Sequence, residues 1–317
     1  MRKITRRKFV ALSATGVAAV PLVSLARSLK RAVTAQEVAD RIGKNIGVEW
    51  KPGSVDTFKA GDPAMAVTGI VTTSLASLDV LEQAVKRGAN LIVTSEPTFY
   101  SRADKPTPPL PRSFRRGANG LAVPLPPPPG PPPPDRVFTA KDDFIEKNNL
   151  AVFRLSDHWR ARVPNPFAVG LAKAFGWSRL AAKDDPAHLE IPPASLEAVV
   201  THVKRSLRSR GGMRIVGDPQ LNVRKVGFLP GSTPIQASIE MLPGVDAIVA
   251  GEVREWESVE YVLDTDALGG KKALILVGRI VSEDPGMRVC ADWLKTIVPE
   301  VSSTWVSAGD PYWRPKA

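Results

Sequence analysis

The strongest constraint on this chain is a stretch that it carries twice. Residues 67–96 read VTGIVTTSLASLDVLEQAVKRGANLIVTSE, and residues 223–252 read VRKVGFLPGSTPIQASIEMLPGVDAIVAGE. The two align without a gap at an offset of 156 residues. Gly88 meets Gly244, Asn90 meets Asp246, and Ile92-Val93 meets Ile248-Val249. Each copy parses as strand, small-residue loop, helix, glycine turn, apolar strand and then a carboxylate, Glu96 or Glu252. Helix crossovers make consecutive strands largely parallel. In open α/β sheets, ligands bind outside the carboxyl ends of the strands. The repeat therefore predicts an α/β fold of two pseudo-repeated lobes with mostly parallel strands. A cleft between the lobes would lie at the strand C-terminal ends. The blander alternative is two ordinary β-α-β units, each ending in a solvated glutamate.

At 317 residues the chain is long enough for one large or two modest α/β domains. Residues 1–26 read as a twin-arginine signal peptide. Thr5-Arg6-Arg7-Lys8-Phe9 precedes a weakly apolar run from Val10 to Leu25, and Ser24-Leu25-Ala26 offers a small-x-small cleavage site. The run is short and poor in strong hydrophobes, so a leader is expected rather than a stable membrane span. The protein is thus expected to be exported, to the periplasm or beyond. The leader carries Arg2, Lys3, Arg6, Arg7 and Lys8 and no acid, so much of the formal charge of +11 belongs to it. The remaining excess is scattered without interleaved aromatics, and no nucleic-acid partner is expected. The single cysteine, Cys290, sits in an apolar helical pattern and is read as a core residue.

Residues 27–210 are assigned to a first lobe and 211–317 to a second. Thr34 and Glu37 form a capping-box pattern at the head of a helix reaching Ile46. The stretch 105–135 interrupts the first lobe with PTPPLP and PLPPPPGPPPP. Its prolines lack N–H, so neither helix nor sheet ladder is expected there. Helices are predicted over Phe138–Asn148, Asn165–Phe175, Ser195–Arg210, Trp256–Leu263 and Pro285–Ile297. Strands are predicted over Leu150–Leu155 and Ala273–Val277.

Four strand ends carry polar groups: Ser95-Glu96, Ser156-Asp157-His158, Glu252, and Arg279 with Glu283. Converging oxygen ligands at one sheet edge could hold a divalent cation. Arg279 or Arg160 could instead pair with these acids and leave a cation-free ion-pair network. His188, in a Pro/Asp-rich loop, and His202, on a basic helix, are read as structural or solvated.

The order and spacing of ANLIVTSEPTFY (89–100), AVFRLSDHWR (151–160), AIVAGEVREWESVEY (247–261) and VGRIVSEDPGM (277–287) resemble the Ngg1-interacting-factor-3-like proteins, also called GTP cyclohydrolase 1 type 2 homologs. The resemblance covers roughly residues 34–104 and 136–313. It implies two related α/β lobes around a cleft with a two-metal centre, and a homo-hexamer. The family's ligand motifs carry over in part. Glu96 is kept, but Ser95 stands where a histidine is expected. Ser156 and Arg160 occupy two further ligand positions, with Asp157 and His158 between them. Gly278-Arg279 replaces a Gly-His pair, and Glu283 is kept. The metal candidates are therefore Glu96, Asp157, His158 and Glu283, a weak set, with Ser95, Ser156, Arg160, Glu252 and Arg279 around them. Zinc, manganese or iron is expected to be held weakly or not at all. The resemblance implies a metal-dependent, hydrolase-like activity on a nucleotide or related small molecule. The alternative is a non-catalytic exported binding or scaffold protein with a decayed site.

Overall fold

The structure is a computed structural model that describes residues 32–104, 114–124, 135–181, 185–209 and 212–313. The leader assigned to residues 1–26 lies outside them, as does most of the proline-rich segment. In the first half of the chain the elements are α1 (Ala35–Asn45), β1 (Phe58–Ala60), β2 (Ile70–Thr73), α2 (Leu78–Lys86), β3 (Leu91–Thr94), β4 (Phe114–Arg116), β5 (Ala122–Pro124), α3 (Arg136–Lys147), β6 (Ala151–Arg154), α4 (Asp157–Ala161) and α5 (Pro166–Ala174). The second half contains β7 (His188–Ser195), α6 (Leu196–Leu207), β8 (Arg214–Val216), β9 (Asn222–Ser232), α7 (Ile235–Met241), β10 (Ala247–Glu252), α8 (Glu260–Ala267), β11 (Ala273–Leu276), α9 (Arg279–Ile297) and β12 (Ser303–Trp305).

Two five-stranded sheets result, in the orders β1-β6-β3-β2-β12 and β7-β9-β10-β11-β8. Strands β12, β2, β3 and β6 run parallel, as do β9, β10 and β11. Antiparallel strands close the edges: β1 on the first sheet, β7 and β8 on the second. The fold class is the one that the repeat predicts, and β2-α2-β3 and β9-α7-β10 are its two copies. Every residue of β2, β3, β6 and β11 is buried, and β10 is buried up to Gly251. Helices cover both faces of such strands, so their sequences read as unbroken apolar runs.

The sheets do not divide at residue 210. Strand β7 precedes that point and joins the second sheet, whereas β12 returns from the C-terminal end to pair with β2. Helix α9 ties the two sheets together. Thr72 Oγ1 of β2 donates to the Met287 carbonyl at 2.7 Å, and the Gly231 amide of β9 donates to Ser282 Oγ at 2.9 Å. Helix α5 crosses α9 at very short range, where a Cβ on Gly170 would lie 2.4 Å from the Gly286 amide nitrogen. Only glycine allows that approach.

Two expectations need correction. Helix α9 begins at Arg279, not Pro285, and Pro285 lies within it. A preference of proline for the first turn placed the start too late. Within the proline-rich segment, Phe114–Arg116 pairs antiparallel with Ala122–Pro124. The stretch between the two proline runs, SFRRGANGLAV, is free of proline, so its backbone can donate to a ladder.

Candidate functional site

A cavity of about 700 Å³ opens at the carboxyl ends of both sheets. Glu96 follows β3, Ser156 follows β6, Ser232 ends β9, and Arg279 opens α9 after β11; all four line it. The topology thus brings strand ends from both sheets to one edge.

Two carboxyl groups meet beside it, of which Glu96 lines the cavity. Glu96 is 4% exposed and Glu283 is fully buried. The charge of Glu283 bears on Glu96, and each has a guanidinium partner. Arg279 Nη2 lies 2.9 Å from Glu96 Oε1 and 2.7 Å from Oε2. Arg160 Nη2 lies 2.5 Å from Glu283 Oε1, and Ser95 Oγ donates to Glu283 Oε2 at 2.9 Å. Burial first, and the charge of Glu283 second, push the Glu96 carboxyl up to about 7, while Arg279 pulls it back. Because α9 starts at Arg279, Arg279 and Glu283 are four residues apart on one helix face. One reaches Glu96 and the other reaches Arg160. Arg160 also packs over the Phe167 ring at 4.6 Å and donates to the Pro230 carbonyl.

His158 takes another direction. Its Nε2 accepts the Lys51 amide at 2.8 Å, its Nδ1 donates to Asp56 Oδ2 at 2.7 Å, and its ring stacks on Trp50 at 4.0 Å. Both ring nitrogens are used, so His158 is a structural residue and not a metal ligand. Asp56 also accepts the amides of Ser156, Asp157 and His158, at 2.6, 3.0 and 2.8 Å. It fixes the start of α4 and thereby the wall of the cavity. Asp157 lines that wall, with Oδ2 3.4 Å from the Val55 amide. Glu252 is exposed at the end of β10 and is not among the residues lining the cavity.

The residues do not fit a metal pair. Among the described residues, no three His, Cys, Asp or Glu side chains cluster as a cation site. The two buried carboxyls already hold guanidinium groups, and a fixed positive charge beside each opposes a dication.

Several residues of the site escaped the sequence reading. Arg154, 5% exposed, lines the cavity from β6 and pairs with Asp104 at 3.1 Å. A charge inside the apolar run AVFRL was a legible signal of a buried pair. Lys141 lines the cavity from α3, and Nζ donates to the Thr98 carbonyl at 2.6 Å. Helical spacing places it on the face of Phe138 and Ile145, which could have marked it. Burial lowers its ammonium to about 8. Asp56 had no such signal, because its partners lie a hundred residues further on.

No protein-family model matches this sequence, and no curated protein matches it. Solved structures do. The Staphylococcus aureus hypothetical protein SA1388 is 14% identical with a TM-score of 0.61, covering 90% of this chain and 100% of that one. The ybgI protein, of unknown function, is 17% identical with a TM-score of 0.61, covering 88% and 99%. A Bacillus cereus protein related to NIF3 is 13% identical with a TM-score of 0.58, covering 89% and 99%. Likeness over nearly the whole of both chains at such low identity is a likeness of fold, and the chain is built on the fold of the NIF3-related proteins.

Proposed function

We propose that this protein is an exported small-molecule-binding protein whose cleft works without a metal pair. The observation that carries the reading is the paired arrangement Arg279–Glu96 and Arg160–Glu283 beside the cavity. Glu96 and Glu283, the two buried carboxyls of the candidate set, each face a guanidinium on the same scaffold. The imidazoles that the family resemblance implies are absent at Ser95, Ser156 and Arg279. The competing reading is a metal-dependent, hydrolase-like activity on a nucleotide or related compound. It is favoured by two adjacent buried carboxyls, which would become a cation site if both arginines swung out.

Elemental analysis of the mature chain after incubation with zinc, manganese or iron and dialysis separates the two. Well under two equivalents per chain is expected, and two tightly held equivalents would restore the hydrolase reading. Export is supported by Arg6-Arg7 and the run after it. Arg6→Lys with Arg7→Lys should leave the precursor in the cytoplasm. Unchanged export of that double variant would remove the twin-arginine assignment. The homo-hexamer implied by the resemblance is read by sedimentation of the same preparation.

A further inference from the structure

We propose that the cleft binds its small molecule through an oxyanion, a phosphate or carboxylate group; this rests on reading the cleft as a metal-independent binding site. Its walls are rich in cations. Arg154, Arg160 and Arg279 line the cavity and hold Asp104, Glu283 and Glu96. Arg102 and Lys141 line it as well, and among the described residues neither has a carboxylate within salt-bridge distance. Asp104 acts on Lys141 only from further away.

Two residues that line the cavity also carry buried polar atoms without partners among the described residues. Thr98 is 1% exposed and lines the cavity, and among the described residues its hydroxyl has no hydrogen-bond partner. Nε of Arg279 is likewise buried and, among the described residues, without a partner. Buried donors left unpaired are costly, so an acceptor brought within their reach is favoured. Helix α9 adds to this. It is 19 residues long, no side chain caps its N-terminus, and its first residues, Arg279 and Ile280, line the cavity. Free first-turn amides and the helix dipole favour negative charge there. A planar guanidinium fork matches a carboxylate or phosphate. The cavity volume of about 700 Å³ leaves room for an organic body beyond the anionic group.

The mature chain, stripped with a chelator and dialysed, is titrated separately with inorganic phosphate and acetate. Sodium chloride at matched ionic strength is the control, and thermal midpoint is the readout. A saturable rise with phosphate or acetate, absent with chloride, is expected, and the two arms tell the phosphate group from the carboxylate. Arg102→Gln and Thr98→Val should each weaken that response roughly tenfold. Arg224→Gln, at a small basic cavity elsewhere, should leave it unchanged. No rise in either arm, a rise equal to that of chloride, or a rise that neither cavity substitution reduces would overturn the proposal. Zinc titration of the same stripped protein is a separate test. Two tight equivalents would overturn the metal-independent reading, whatever the anions do.

Discussion

Arg279 and Glu96 stand 183 residues apart in the chain and meet at 2.7 Å across the cavity floor. The guanidinium offsets the burial and the Glu283 charge that would otherwise drive the Glu96 proton back on. Glu96 is raised from 4.5 to about 7, so between those values the folded chain keeps a proton that the unfolded chain releases. Its contribution to stability is present at low pH and is lost as pH rises through that window.

Arg279→Ala should therefore cost little at pH 5, where Glu96 is neutral. At pH 8 it should cost about 1–2 kcal/mol, a figure reduced because the arginine is partly exposed. Urea unfolding at the two pH values measures the difference. In the same assay Glu96→Gln should flatten the fall in stability between pH 4.5 and 7. An equal cost of Arg279→Ala at both pH values would contradict the pairing.

Gly231 has φ of +87°, and a Cβ there would lie 2.4 Å from Glu283 Oε1 and 3.0 Å from Arg160 Nη1. Gly231→Ala is expected to strain the backbone and push the Arg160–Glu283 pair apart. A loss of about 2–4 kcal/mol in a denaturant titration is expected. A neutral substitution would mean that the pair has room to move.

Asp56→Ala leaves three amides at the start of α4, those of Ser156, Asp157 and His158, and the His158 ring without their acceptor, in a region where Asp56 is 1% exposed. A loss of about 3 kcal/mol or more is expected. Metal content should not change, because His158 serves the loop and not a cation. A drop in bound metal with intact stability would reverse that assignment.

Lys141 is lowered from 10.5 to about 8 by burial. Between pH 8 and 10.5 the unfolded chain holds a proton that the folded chain has released, so stability from this group rises with pH across that window. Lys141→Met should remove that rise. Unfolding curves at pH 7.5 and 10 for both proteins test it, and parallel pH profiles would show that the ammonium is solvated.

How far the chain itself reveals this protein depends on the range of each interaction. Periodicity and the internal repeat determined the element types and the parallel pairing of β2-α2-β3 and β9-α7-β10, because burial on both faces writes itself into local runs. The capping box of Thr34 and Glu37 was legible for the same reason: both bonds span three residues. Sequence also put Glu96, Glu283, Arg160 and Arg279 at strand ends, and left open whether the acids held a cation or the arginines. In the tertiary structure the arginines face the acids. Glu96 pairs with Arg279, Glu283 with Arg160 and Ser95, and His158 turns away to Asp56 and Lys51. Each of these contacts joins residues roughly a hundred or more positions apart. No local pattern encodes which of several nearby charges will be aligned and desolvated together. That is set by how α9 crosses the two sheets, and the path of β12 back to β2 was equally beyond any local signal.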